Sequence, residues 1–144
     1  MFKQKRATCL VEIPNDAGVM CLLLSRQHGD KYDMLPGGRV EIDEPPIVAA
    51  IRELLEETTL ESEAVVKISE YESQHTMHYV FFIATTENHF EPKDDVERLW
   101  LLPLSDCHYI NEMTNISQST KYIVTEYLKW RSGRAIVLGL KGSI

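Results

Sequence analysis

The sequence predicts an α/β fold in which a mixed β-sheet lies between helices. Two observations carry this. Short apolar, strand-like runs recur over residues 6–13, 18–26, 64–73, 77–85 and 96–104. A helical pattern over residues 47–58 interrupts them, and a second over residues 119–131 follows them. Strands interleaved with helices favour helix layers on both faces of a sheet.

Each element has a local reason. Residues 6–13 form an apolar run that ends at the turn residues Pro14, Asn15 and Asp16. Residues 18–26 are almost continuously apolar, as in a strand covered on both faces. A polar loop over residues 27–33 leads to Pro36, Gly37 and Gly38. Pro45 and Pro46 suit a first helical turn, where a missing N–H costs nothing. On the helix they open, Ile47, Ile51 and Leu54 form an apolar stripe expected to face the core. Residues 64–73 alternate, with Val66, Ile68 and Tyr71 as the expected anchors of a half-buried strand. A hairpin around Gln74, His75 and Thr76 joins this strand to the next. After a loop over residues 111–119, Ser119 or Thr120 is expected to cap the last helix, and Gly133 to end it. The apolar residues 135–140 leave two readings open, an edge strand or a contact between copies in a homodimer.

The 144 residues suffice for one domain over residues 1–144 with a sizeable core. The formal net charge is -7. Residues 41–63 hold eight acids and one base, also -7, so the rest of the chain is balanced. Long nucleic acid is therefore excluded as an expected partner, since its binders carry a basic stripe. Cys9, Cys21 and Cys107 are odd in number and form no CxxC pair, which points to buried thiols in a reducing compartment. With no secretory signal and no apolar run of membrane length, a cytoplasmic protein is expected.

The acidity has a purpose to explain. Side chains three and four apart share a helix face, so Glu53, Glu56 and Glu57 project together with Arg52 beside them. They repel one another, and the helix C-terminus disfavours each by roughly 0.3–1 kcal/mol. A hard cation such as Mg²⁺, which bridges carboxylates to substrate phosphates, would offset both terms. His75 and His78 lack the spacing and companions of a zinc site.

The spacing resembles a known family. Gly38, Glu44, Arg52, Glu53, Leu54, Glu56, Glu57 and Leu60 match eight of the nine specified positions of the Nudix box. The ninth, a glycine, is Thr59 here, and an altered helix end is expected there. The resemblance, to MutT-like Nudix hydrolases, implies an α/β/α sandwich over residues 6–131. It leaves the tail over residues 133–144 uncovered. It implies Mg²⁺, replaceable by Mn²⁺, and water attack on the diphosphate of a small nucleoside diphosphate derivative. A nucleoside triphosphate or an oxidised nucleotide is the favoured substrate; the absence of a proline between Pro46 and Pro92 leans against ADP-ribose. By the same resemblance Glu53, Glu56, Glu57, the Gly37 carbonyl and Glu97, three residues before Trp100, would hold metal. Glu53 would alternatively act as base and Arg52 would orient a box glutamate. Arg26 and Arg39 would meet phosphate, Glu44 would support the metal ligands from behind, and Asn115 or Gln118 would meet a purine. Two rivals stand beside this reading. A nucleotide-binding module without hydrolysis would not need the intact Glu53, Glu56 and Glu57. An isoprenoid diphosphate isomerase would need a catalytic cysteine, and none of the three is placed for it.

Overall fold

The computed structural model describes residues 3–137. Six strands make one mixed sheet: β1 (Gln4–Pro14), β2 (Met20–Gln27), β3 (Gly37–Arg39), β4 (Ala64–Glu72), β5 (Thr76–Ala84) and β6 (Val96–Pro103). Their order is β4-β5-β1-β2-β6, with β3 paired to β1. Helix α1 (Pro46–Thr58) covers one face. The short α2 (Leu104–Cys107), a 3-10 turn (Ile110–Glu112) and α3 (Gln118–Val137) lie on the other. The expected sandwich is present.

Alternation along β1 and β2 builds both cores. Ala7, Cys9, Val11, Ile13 and Leu23 pack with Ala49, Ala50 and Leu54 of α1. Leu10, Leu22 and Leu24 point the other way, into the cluster of Ile123, Val124 and Tyr127 of α3. This is why residues 18–26 read as continuously apolar: both faces are covered. All three cysteines are free and buried.

The edge of β1 is divided, and this creates the site. Its first half pairs with β3, Arg6 opposite Arg39 and Thr8 opposite Gly37. Its second half pairs with β2, Glu12 opposite Leu22. Between them the Cys9 amide bonds the Pro36 carbonyl at 2.9 Å. Gly37 has φ 148° and lies so close that an added Cβ would sit 2.0 Å from the Ala7 carbonyl oxygen. Only glycine lets β3 dock there.

Several expectations need correction. Ile47 and Ile51 do not face the core; they are 40% and 39% exposed, and with Val48 and Leu55 they line the outer side of α1. The small Ala49 and Ala50 take the inner side because α1 lies close against the sheet. Val66 is also exposed, although it pairs with Phe82 on the α3 face of the sheet; a bulge between Lys67 and Ser69 brings both Ile68 and Tyr71 onto that same face. The cap of α3 is Ser117, whose Oγ accepts the Thr120 amide at 3.3 Å. Gly133 does not end this helix, which runs through to Val137. Residues 135–137 are therefore helical rather than an edge strand, and residues 138–140 lie outside the described residues.

Thr59 keeps the helix end unaltered. It adopts φ 67° itself, and its amide bonds the Leu55 carbonyl at 3.0 Å. The left-handed conformation that the missing glycine would supply is thus imposed on a β-branched residue.

One buried charge ties the far end of the sheet to α3. Asp33 is fully buried and accepts from Arg26 Nε at 2.9 Å, Arg98 Nη2 at 2.9 Å and Asn115 Nδ2 at 2.8 Å. Its backbone also bonds Asn115 and Ser117, fixing the chain that enters α3.

Two outcomes test these points. Asp33→Ala should lower the unfolding free energy by about 3–5 kcal/mol, because two guanidinium partners lose their anion; an unchanged denaturation midpoint would refute the anchor. Thr59→Gly should stabilise by about 1 kcal/mol in the same assay by relieving the left-handed strain.

Candidate active site

The C-terminal turn of α1 delivers Glu57 into the gap beside β1's divided edge. The residue is 4% exposed. Its Oε1 accepts the Gly37 amide at 3.1 Å, and its Oε2 accepts from Gln27 Nε2. Burial pushes its carboxyl up to about 7, although Arg6, the Gly37 amide and Gln27 each pull it down. Glu53, one turn earlier, is raised too, chiefly by burial. Its carboxylate lies over Gly38, where an added Cβ would sit 2.2–2.6 Å from it. The two glycines thus have separate duties: Gly37 lets β3 reach β1, and Gly38 leaves room for Glu53.

Arg52 organises the other acids. Its Nε and Nη2 bond Glu44 side-on at 2.8 and 2.9 Å. Its Nη1 reaches Glu53 at 2.9 Å and Glu56 at 3.2 Å, and Nη2 also donates to the Arg39 carbonyl at 3.0 Å. Bidentate geometry of this kind needs a guanidinium. The Arg52 hydrogen bond holds Glu44 down at about 2, and the same bond raises Arg52. Glu44 therefore sits behind the other carboxylates, gripping the residue that touches them.

The remaining sequence candidates lie elsewhere. Glu97 is exposed on β6, 3.7 Å from His28 Nδ1, next to the bulge that disturbs Arg26 and Gln27. Arg26 spends its Nε on Asp33. Asn115, considered for a purine, also binds Asp33. Arg39 has its Nε and Nη2 2.9 and 2.8 Å from the amide oxygen of Gln4. His78 is buried with Nδ1 2.8 Å from Thr8 Oγ1, and among the described residues no His, Cys, Asp or Glu cluster gathers around it.

Sequence reasoning missed Gln27 and Arg6. Arg6 donates to the Leu35 carbonyl at 2.8 Å and acts electrostatically on both Glu53 and Glu57. A signal existed: Gln4, Arg6 and Thr8 place polar groups at every second position at the start of an otherwise apolar strand.

The donors fit a hard divalent cation. Glu57 is a carboxylate held out of water and Glu53 a half-buried one, and for Glu57 burial outweighs Arg6 and the two hydrogen bonds. Among the described residues no three His, Cys, Asp or Glu side chains converge enough to hold an ion alone. Glu53 and Glu56 are turned onto Arg52 instead. Mg²⁺ sites commonly use one or two carboxylates and complete the shell with water and substrate phosphate, so the buried Glu57 and the half-buried Glu53 suffice.

Comparison with known proteins follows the same line. The NUDIX domain family model matches residues 3–120. The diphosphoinositol polyphosphate phosphohydrolase 2 of Rattus norvegicus is 28% identical over 132 residues, covering 88% of this chain and 69% of that protein. The NUDIX domain of Shewanella oneidensis NrtR, solved with ADP ribose, superposes with a TM-score of 0.74 at 12% identity, covering 90% of this chain and 88% of that one. A bifunctional NMN adenylyltransferase/ADP ribose pyrophosphatase from Francisella tularensis, complexed with AMP and a Mn ion, gives 0.68 at 21% identity, covering 89% and 42%. With the box residues gathered at the end of α1 and a family model spanning most of its length, the chain belongs to the Nudix family.

Proposed function

We propose that the protein hydrolyses the diphosphate linkage of a small phosphorylated molecule with the help of a divalent cation, Mg²⁺ or Mn²⁺. As a Nudix family member it is a pyrophosphohydrolase acting on phosphorus-containing anhydrides. The observation that carries the metal-dependent reading is the buried, undercompensated Glu57 carboxylate beside Glu53 under the Gly37-Gly38 turn. The substrate classes in view are a nucleoside diphosphate derivative, such as a nucleoside triphosphate or oxidised nucleotide, and a diphosphorylated polyol. The second class enters through the inositol polyphosphate phosphohydrolase likeness.

The residues divide the work. Glu57, Glu53 and Glu56 would hold the cation, with the Gly37 carbonyl, and Glu97 would approach from β6. Bound there, a divalent cation neutralises phosphate oxygens and lowers the pKa of a water. Glu53, half-buried and raised, is also the candidate to take a proton from the attacking water. Arg52 keeps Glu53 and Glu56 aligned, and Glu44 keeps Arg52 in place. Arg6 supplies positive charge that acts on Glu57.

A panel of nucleotides and polyphosphorylated polyols, assayed with Mg²⁺ and Mn²⁺ for phosphate and pyrophosphate release, tests the activity. No release from any member would leave a binding module instead. Glu57→Gln should keep the fold and lose most turnover; full Mg²⁺-dependent activity in that variant would remove the metal assignment. Arg52→Ala should lower kcat/KM by roughly 10–100-fold, as losing an outer partner of a metal ligand does. Arg52→Lys should not restore it, since an ammonium cannot bind Glu44 side-on.

The raised Glu57 carboxyl also predicts a pH dependence. Between the ordinary value of 4.5 and about 7, the folded chain keeps a proton that the unfolded chain releases. Metal-free stability should therefore fall as pH rises through that window, then level off for this group. Mg²⁺ should raise the melting temperature more at pH 8 than at pH 5, and Glu57→Gln should abolish the difference.

A further inference from the structure

A second site lies on the other face of β1. A cavity of about 310 Å³ opens between the start of β1, Arg39 of β3, the β4-β5 hairpin and the N-terminus of α3. That size is at the lower end of ligand pockets, roughly 300–1,000 Å³. Its lining includes Lys5, Arg6 and Arg39, but no Asp, Glu, Phe, Tyr or Trp. In a chain of net charge -7, the two neighbouring arginines on this face are an unusual concentration of positive charge.

Strand register makes the arrangement sharper. Arg39, Arg6 and His78 are direct neighbours across β3, β1 and β5. Like charges directly opposite one another on a sheet are destabilising. Arg6 has partial relief from Glu57. Arg39 has only the Gln4 amide oxygen, and Lys5 has no carboxylate partner among the described residues. His78 is neutral near pH 7, since burial and then Arg6 lower it to about 4, so the row carries two charges rather than three. The positive end of the 20-residue helix α3 meets the same cavity at Ser119.

We propose that this cavity is an anion subsite for a phosphate group of the substrate other than the diphosphate that is cut, carried on a non-aromatic polyol or sugar, with Arg39 as a specificity-determining residue. The proposal rests on reading the Nudix box as the diphosphate site. Arg6 connects the two, since it lines the cavity and acts on both Glu53 and Glu57. A nucleobase would find little here. Stacking on aromatic rings, worth about 1–3 kcal/mol per base, finds no Phe, Tyr or Trp in the lining, and the one ring there, His78, is buried against Thr8 Oγ1 at 2.8 Å. Tyr71 and Tyr122, close to His78, stack on each other at 4.5 Å instead.

The test is calorimetric titration of the metal-free protein with inositol hexakisphosphate, which has phosphates but no diphosphate and no ring to stack, and with adenosine, which has the reverse. Inositol hexakisphosphate should bind, more weakly as salt rises, and at least about tenfold more weakly in Arg39→Ala and in Ser119→Glu. Adenosine should give no heat. Both variants change side chains outside the packed core, and an acid at a helix N-terminus is favourable, so circular dichroism should show both folded. Unchanged inositol hexakisphosphate affinity in both variants, or adenosine binding that either variant weakens, would overturn the subsite. The hydrolysis panel separates the two readings. No hydrolysis together with Arg39-dependent binding would sink the hydrolase and leave the subsite standing. Hydrolysis whose substrate preference is unmoved by Arg39→Ala and Ser119→Glu would sink the subsite alone.

Discussion

A carboxylate removed from water is the constraint on which this site depends. Glu57 is almost fully buried, and a buried charge is tolerated only when other groups replace its hydration. The fold meets that demand from three directions. The Gly37 amide comes from β3, the Gln27 amide from the end of β2, and the Arg6 guanidinium from β1. Each donor is available because β1 changes partners along one edge, pairing first with β3 and then with β2. A continuous partner strand would have closed the gap and left no N–H free to point at an acid. The glycine at position 37 is what lets β3 stop short and still reach β1.

Those donors do not complete the compensation, and Arg52 shows why the remainder matters. This one guanidinium bonds Glu44, Glu53 and Glu56 and a backbone carbonyl. It leaves Glu57 untouched. The acids of α1 therefore fall into two sets, one neutralised by an arginine of the same helix and one left with excess charge. Glu53 belongs to both, bonded to Arg52 yet raised by burial. A cation arriving beside Glu57 would find Glu53 already aligned on Arg52, which lowers the ordering cost of binding.

Much of this was legible in the chain because it is local. The six box residues from Arg52 to Leu60 and the Pro-Gly-Gly turn act through spacing on a helix and through backbone freedom, and both are written in consecutive residues. The strands were legible because a sheet covered on both faces needs apolar runs. What was not legible depends on partners distant in sequence. Asp33 reads as a loop residue until Arg98 and Asn115 arrive from 65 and 82 positions away. Ile47 and Ile51 read as core because periodicity identifies an apolar face but not which neighbours are small enough to approach; Ala49 and Ala50 won that position. The Arg26 Nε bond to Asp33 is likewise a tertiary contact that spacing does not reveal. Thr59 is the opposite case: the residue preference disfavours the left-handed conformation, and the helix end adopts it regardless, with the Thr59 amide bonded to the Leu55 carbonyl.

The distribution of charge about β1 gives the molecule a direction. By alternation, Ala7 and Gly38 face α1 and its acids, while Arg6 and Arg39 face α3 and the cavity. The strand thus separates an acidic side, which attracts cations, from a basic side, which attracts anions. Arg6 belongs to both, since its charge lowers Glu57 and also repels a proton from His78. A ligand with phosphates at two positions would be held across this strand in one orientation, one group towards the glutamates through a cation and the other against Arg39. A ligand with a phosphate at one position only would leave either the cation beside the glutamates or Arg39 without its charge partner. Selectivity would then come from the distance between the two phosphates rather than from the shape of a base.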